Sequence, residues 1–183
     1  APVSGTAVFA GLEGTRPMLV EIQALVAQSA LATPRRAVVG WDSARMNMIL
    51  AVLDARCGLP LSQFDVYLNV AGGLRVGEPA ADMAVAAALI SAVADAPVPA
   101  ETVIVGEIGL SGEVRPVGQL ESRLKEATKL GFGNAYTPKN GTQGKKKLSI
   151  KGLNQTEIGH LQDLVNLFGD DVRDKVRPRE GMY

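Results

Sequence analysis

The 183-residue chain has a single cysteine, Cys57, and a single histidine, His160. Those counts exclude an intrachain disulfide framework, a Cys-only zinc site and zinc-finger spacing, so no metal site is expected. They also point to a reducing compartment, here the cytoplasm. An excess of one charge is missing too: 19 Lys plus Arg face 19 Asp plus Glu, which argues against uniform coating by nucleic acid. The longest apolar stretch, residues 80–94, is interrupted by Asp82 and falls short of the ~20 residues of a membrane span. No basic segment followed by an apolar run opens the chain, so no leader is expected. What is present is 46% hydrophobic and 21% charged, the composition of one ordered globular domain.

Hydrophobic periodicity places the elements. Residues 5–12 and 17–26 read as strands around Glu13-Gly14, with Met18, Val20, Ile22, Ala24 and Val26 on one face. Residues 37–40 form a short strand. Asp42 or Ser43 then caps a helix whose stripe is Met46, Ile49, Leu50, Leu53 and Cys57, ended by Gly58 and Pro60. Residues 64–71 alternate as a strand into Gly72-Gly73. The stretch from Pro79 is apolar nearly all round, which predicts a helix buried at the centre and stopped by Pro97 and Pro99. Residues 102–110 and 113–117 read as strands joined through Ser111-Gly112. Residues 119–130 form an amphipathic helix, with Leu120, Leu124 and Ala127 inward and a Glu121 to Lys125 pair outward. A strand over 134–138, a Gly- and Lys-rich loop over 139–147 and a short strand over 148–151 follow. Asn154 with Glu157 predicts a capping box opening a last helix, with Ile158, Leu161, Leu164, Val165 and Phe168 buried. The charge-mixed tail after Gly169 is expected to fray. This order suits an α+β fold in which one mixed sheet carries packed helices.

Few residues invite chemistry. The turn Gly77-Glu78-Pro79-Ala80-Ala81-Asp82 opens the buried helix, where free N–H donors could hold an anion. The plainer reading is that Glu78 and Asp82 complement the helix dipole. His160 lies outside the apolar stripe, at a surface or half-buried position rather than in a proton-transfer role. Cys57 and Trp41 read as packing residues. Basic side chains recur at Arg35, Arg36, Arg123, Arg115 and Lys125, then Lys139 and the run Lys145, Lys146 and Lys147. Local cations can contact phosphate whatever the net charge. Arg35, Arg36 and Arg123 lead this group because they adjoin ordered elements, while the lysine run reads as a solvated loop.

Four segments together carry a resemblance. They are Glu13-Gly14-Thr15-Arg16-Pro17; Gly40-Trp41-Asp42-Ser43; Asn69-Val70-Ala71-Gly72-Gly73 with Glu78-Pro79-Ala80-Ala81-Asp82; and Gly106-Glu107-Ile108-Gly109-Leu110 with Gly112-Glu113-Val114-Arg115-Pro116-Val117. In order and spacing they resemble the carboxy-terminal Lon-protease-like domain of the RadA (Sms) family of bacterial DNA repair proteins. The match covers residues 11–169, with 1–10 as an extension carrying the first strand and 170–183 as the charged tail. The resemblance implies a sandwich of mixed sheet and helices of the ribosomal-protein-S5 domain 2 type, shared with Lon proteases. Lon enzymes use a Ser-Lys dyad. By this resemblance Ala80 stands at the serine position and Glu121 at the lysine position, so no catalytic residue is expected.

The family also implies an amino-terminal zinc-binding Cys cluster and a RecA-like ATPase. No G-x-x-x-x-G-K-[ST] and no Cys pair occurs here, so ATP, Mg and Zn are implied only for other parts of such a protein. The resulting expectation is a proteolytically inactive scaffold in a homo-oligomeric ring, by resemblance a hexamer, that lends cations to duplex DNA without reading sequence. Branched DNA and a recombinase are further partners implied for the whole protein. The alternatives are an oligomerisation or protein-docking module without DNA contact, and an active Ser-Lys peptidase, which Ala80 and Glu121 disfavour.

Overall fold

A computed structural model describes residues 2–139 and 148–176. In chain order the strands are β1 (Thr6–Glu13), β2 (Arg16–Gln28), β3 (Arg36–Val39), β4 (Phe64–Val70), β5 (Thr102–Ile104), β6 (Glu107–Ile108), β7 (Val114–Arg115), β8 (Asn134–Pro138) and β9 (Asn154–Ile158). The helices are α1 (Ser43–Cys57), α2 (Asp82–Ala94), α3 (Leu120–Lys129), α4 (Leu161–Asn166) and α5 (Val172–Lys175). Seven strands form one sheet in the order β3-β4-β2-β1-β5-β8-β9, and β6 and β7 make a separate hairpin. The sheet is mixed: β2 runs antiparallel to β1 and β4, while the β3–β4, β1–β5, β5–β8 and β8–β9 pairs are parallel.

The β1–β2 hairpin follows directly from the sequence. Gly14, with φ +60°, supplies the turn, and pairing is continuous from Thr6↔Gln23 to Glu13↔Arg16. Period-two alternation buries Val20 and Ile22 and leaves Glu21 and Gln23 in solvent. Helix α1 starts where the Asp42 carboxylate accepts the Ala44 N–H at 2.8 Å and stops at Gly58, which takes the left-handed φ of +67°. The expected stripe of Met46, Ile49, Leu50, Leu53 and Cys57 is buried.

Helix α2 is the centre of the molecule. It packs on β1, β2 and α1, and every residue from Asp82 to Ser91 is buried. Fully buried Met83, Leu89 and Ile90 each contribute about 1.5–3 kcal/mol relative to exposure. It ends at Asp95, itself left-handed with φ +47°, before Pro97 is reached. No helix among the described residues is long and apolar enough to cross a membrane.

Several expectations need correction. Residues 102–110 are not one strand: β5 leaves the sheet after Ile104 because the Gly106 N–H donates to the Ala80 carbonyl at 2.9 Å. Residues 148–151 form no strand. Asn154 and Glu157 do not cap a helix; they lie in β9, which pairs with all of β8. The capping box sits later, with His160 at the N-cap of α4 and Asp163 accepting the His160 N–H at 3.1 Å. The chain beyond Gly169 does not fray at once, because α5 buries Val172 and the following Val176. Strand β1 likewise runs across the expected boundary between residues 10 and 11.

Candidate functional site

The segment linking β4 to α2 is held along its length. Gly40 has φ +87°, and a Cβ there would lie 2.6 Å from the Leu74 carbonyl oxygen, so only glycine permits this approach. The Gly40 carbonyl accepts the Val76 N–H at 2.8 Å. Two residues on, the Glu78 carboxylate accepts the Leu12 N–H at 2.7 Å through Oε2 and the Arg123 guanidinium at 2.6 Å through Oε1. A cleft of about 340 Å³ lies beside this segment, with Phe9, Met18, Val20 and Val76 among its lining and Glu13 and Arg75 as charged neighbours.

Ala80 and Asp82 come next. Ala80 is buried, and its carbonyl is taken by Gly106. Asp82 is fully buried. Its carboxylate accepts the Arg45 Nε–H at 2.7 Å, a second Arg45 N–H, and the Ile108 N–H at 3.0 Å. Burial pushes the Asp82 carboxyl up from its ordinary value, with the Arg45 hydrogen bonds and the Ile108 N–H opposing. Arg45 is raised chiefly by its hydrogen bonds to Asp82. Thus Asp82 does more than complement a helix dipole: its fork-like pair ties α1 to the start of α2.

Glu121 lies in the first turn of α3, where its side chain and that of Lys125, each 59% exposed, form an ion pair at 2.9 Å. The turn before it contains Gln119 in a left-handed conformation, φ +56° and ψ +39°. Neither a hydroxyl at position 80 nor an amine at position 121 is present.

The leading cations do not form one surface. Arg123 is buried, at 3% exposure; it donates to Gly118 O at 2.8 Å, Ala10 O at 3.0 Å and Glu78, and sits over the Phe9 ring. Its expected DNA-facing position is therefore corrected: all its reach is spent inside the fold. Arg36 donates to the carbonyls of Phe64, Leu61 and Ser62, binding the turn before β4. Arg35 is exposed. Arg115 pairs with Glu113 at 3.0 Å, and Lys125 with Glu121. Lys139 is exposed after β8, five strand positions from β3 and so roughly 24 Å from Arg35. Lys145, Lys146 and Lys147 lie outside the described residues.

The remaining singled-out residues are structural. His160 is half-buried; its Nδ1 accepts the Gln162 N–H at 2.9 Å, and its Nε2 donates to the Ser111 carbonyl at 2.9 Å, which fixes the neutral tautomer. The Cys57 thiol is pushed up by burial, as befits a core position, and Trp41 is buried in the core. Sequence reasoning missed Arg45, Glu78 and Arg123 as internal partners. For Arg123 a signal existed: the spacing 120, 123, 124, 127 places it on the inward stripe of α3.

Residues 55–168 match the Lon protease (S16) C-terminal proteolytic domain, and the chain belongs to that family. Within it, the chain is similar to proteins named DNA repair protein RadA. It is 64% identical over 161 residues to the one from Brucella abortus (strain 2308), covering 88% of this chain and 34% of that protein. The RadA of Synechocystis sp. is 53% identical over 149 residues (81% and 29%), and that of Streptococcus pyogenes serotype M3 46% over 141 (77% and 31%). The resemblance to the RadA carboxy-terminal domain therefore holds, and the chain spans about a third of the length of the curated relatives it matches.

Proposed function

We propose that this is a proteolytically inactive Lon-type domain of a cytoplasmic DNA repair protein, of the ribosomal-protein-S5 domain 2 type, serving as a ring scaffold, by resemblance hexameric. The observation that carries the reading is the pair of side chains at the two Lon positions. Ala80 has no nucleophile, and Glu121 is a carboxylate spent on Lys125 in solvent. A carboxylate there would also repel a developing oxyanion. ATP, Mg and Zn would serve the remaining two-thirds of such a protein, together with branched DNA and a recombinase as partners.

Peptidase assays test the first half. The chain and its Ala80→Ser variant should both fail to cleave peptides, since Glu121 still replaces the base. Turnover by the single variant, stopped by a serine-directed inhibitor, would overturn the reading.

Duplex binding without sequence readout is the second half, and Arg35 is the exposed representative of the leading cations. In the assembled protein, Arg35→Ala should lower the slope of log affinity against log salt by about one. Arg36→Ala and Arg123→Ala should act on stability instead, because their guanidinium groups bind internal carbonyls. The dispersal of Arg35 and Lys139 to opposite parts of the sheet favours a second reading, a docking module without DNA contact. An unchanged salt slope in Arg35→Ala, with assembly intact, would make that reading the leading one.

A further inference from the structure

A gap in the main sheet lies beside the start of α2. Strand β5 pairs with β1 at Val8↔Val103 and Phe9↔Ile104 and then turns away. Carried on for two residues, that register would set Gly106 opposite Gly11, where one residue of a parallel strand bonds the Ala10 carbonyl and the Leu12 N–H. Gly106 instead donates to the Ala80 carbonyl at 2.9 Å and accepts the Met83 N–H at 3.0 Å. Side chains meet the two β1 groups in its place. Arg123 donates to the Ala10 carbonyl at 3.0 Å, Glu78 accepts the Leu12 N–H at 2.7 Å, and the two are joined to each other at 2.6 Å. Together they fill one rung of a parallel ladder.

The same edge borders the cleft of about 340 Å³, whose wall includes Gly11, Leu12 and Glu78 beside the apolar Phe9, Met18 and Val20. An open strand edge with pockets next to it suits an extended peptide, whose main chain bonds the edge while alternate side chains fill the pockets. We infer that the Glu78–Arg123 pair is an autoinhibitory plug: it holds the β1 rung that an extended peptide needs in order to enter this cleft, and so closes the edge to added strands. Arg123 is 3% exposed. A peptide that displaced the pair would leave buried charge without its partner, a cost that a few main-chain hydrogen bonds do not offset. The plug acts on binding and not on cleavage, so its failure and that of the inactive-dyad reading are separable.

Fluorescence anisotropy with a labelled peptide of about eight alternating Thr and Val residues tests it, and Leu12 amide exchange reports where the peptide sits. The double variant Glu78→Ala, Arg123→Met removes both charges together, which avoids an unpaired buried ion. It should bind the peptide about tenfold or more tightly than the unchanged protein does. Its Leu12 amide should exchange about tenfold faster when free and slow again when peptide is added. The same peptide methylated on every backbone nitrogen should do neither. Should the double variant unfold, Glu78→Ala alone, at a side chain 24% exposed, frees the Leu12 N–H and should shift both readouts in the same direction. Equal peptide affinity in the unchanged protein and the variant would overturn the inference, as would a cooperatively melting variant whose Leu12 amide the peptide leaves unprotected.

Discussion

The segments that open α2 and α3 have different surroundings. Around Ala80 both flanking carboxylates are engaged inside the protein: Glu78 joins β1 and α3, and Asp82 joins α1 and β6. Glu121 itself stands in water, and its one ion pair, to Lys125, links successive turns of a single helix. The contrast teaches that two helix starts in one fold can be held by quite different means. The α2 end is a junction built on two buried or half-buried carboxylates, while the α3 end is tied to the rest of the fold through Arg123 and not through Glu121.

Breaking the α2 junction should have the largest effect. Asp82→Ala leaves Arg45 without its partner and is expected to cost about 3–5 kcal/mol, read as a lower urea midpoint at unchanged slope. Arg123→Ala tests the bridge between the two regions. It removes donors from Glu78, Ala10 and Gly118 and should cost about 2–4 kcal/mol by the same measurement. At the α3 end the sign reverses: Gln119→Gly relieves a left-handed side-chain clash and should add about 0.5–1 kcal/mol.

The smallest effect belongs to the β6–β7 turn. Hydrogen bonding to its own backbone N–H, then to Arg115 and the Ser111 N–H, holds the Glu113 carboxyl below its ordinary value of 4.5. A depressed carboxyl adds stability above that ordinary value and loses it as pH falls through the folded value. The stability gap between the wild type and Glu113→Gln should therefore be widest near neutral pH and shrink in acid. A gap that widens in acid would contradict the assignment.

Much of this was legible in the sequence wherever local pattern and tertiary demand agree. Glu13-Gly14, Asp42 and Gly58 punctuate the chain as their chemistry predicts, and the uniformly apolar α2 announces its central place. Legibility fails where partners are remote. Asn154 and Glu157 satisfy a helix-start pattern equally well, but parallel pairing with β8 makes them strand. Residues 102–110 read as one strand, and Gly106 divides them by bonding Ala80 and Met83. At the candidate site, the family resemblance proposes Ala80 and Glu121, whereas the destinations of Arg36 and Arg123 depend on carbonyls far along the chain. A cation in a sequence does not reveal whether its acceptor is a phosphate or a peptide oxygen.

Helix α5 sets a different boundary from the one homology draws. The family match stops at residue 168, yet Arg173 donates to the Cys57 carbonyl at 3.1 Å and Lys175 to the Ala94 carbonyl, closing the last residues of α1 and α2. Beneath them, Val172 and Val176 are sealed from solvent. The packed core thus reaches Val176. During vectorial synthesis, the bonds that Arg173 and Lys175 add to the ends of the two central helices form only after residue 168 has already left the ribosome.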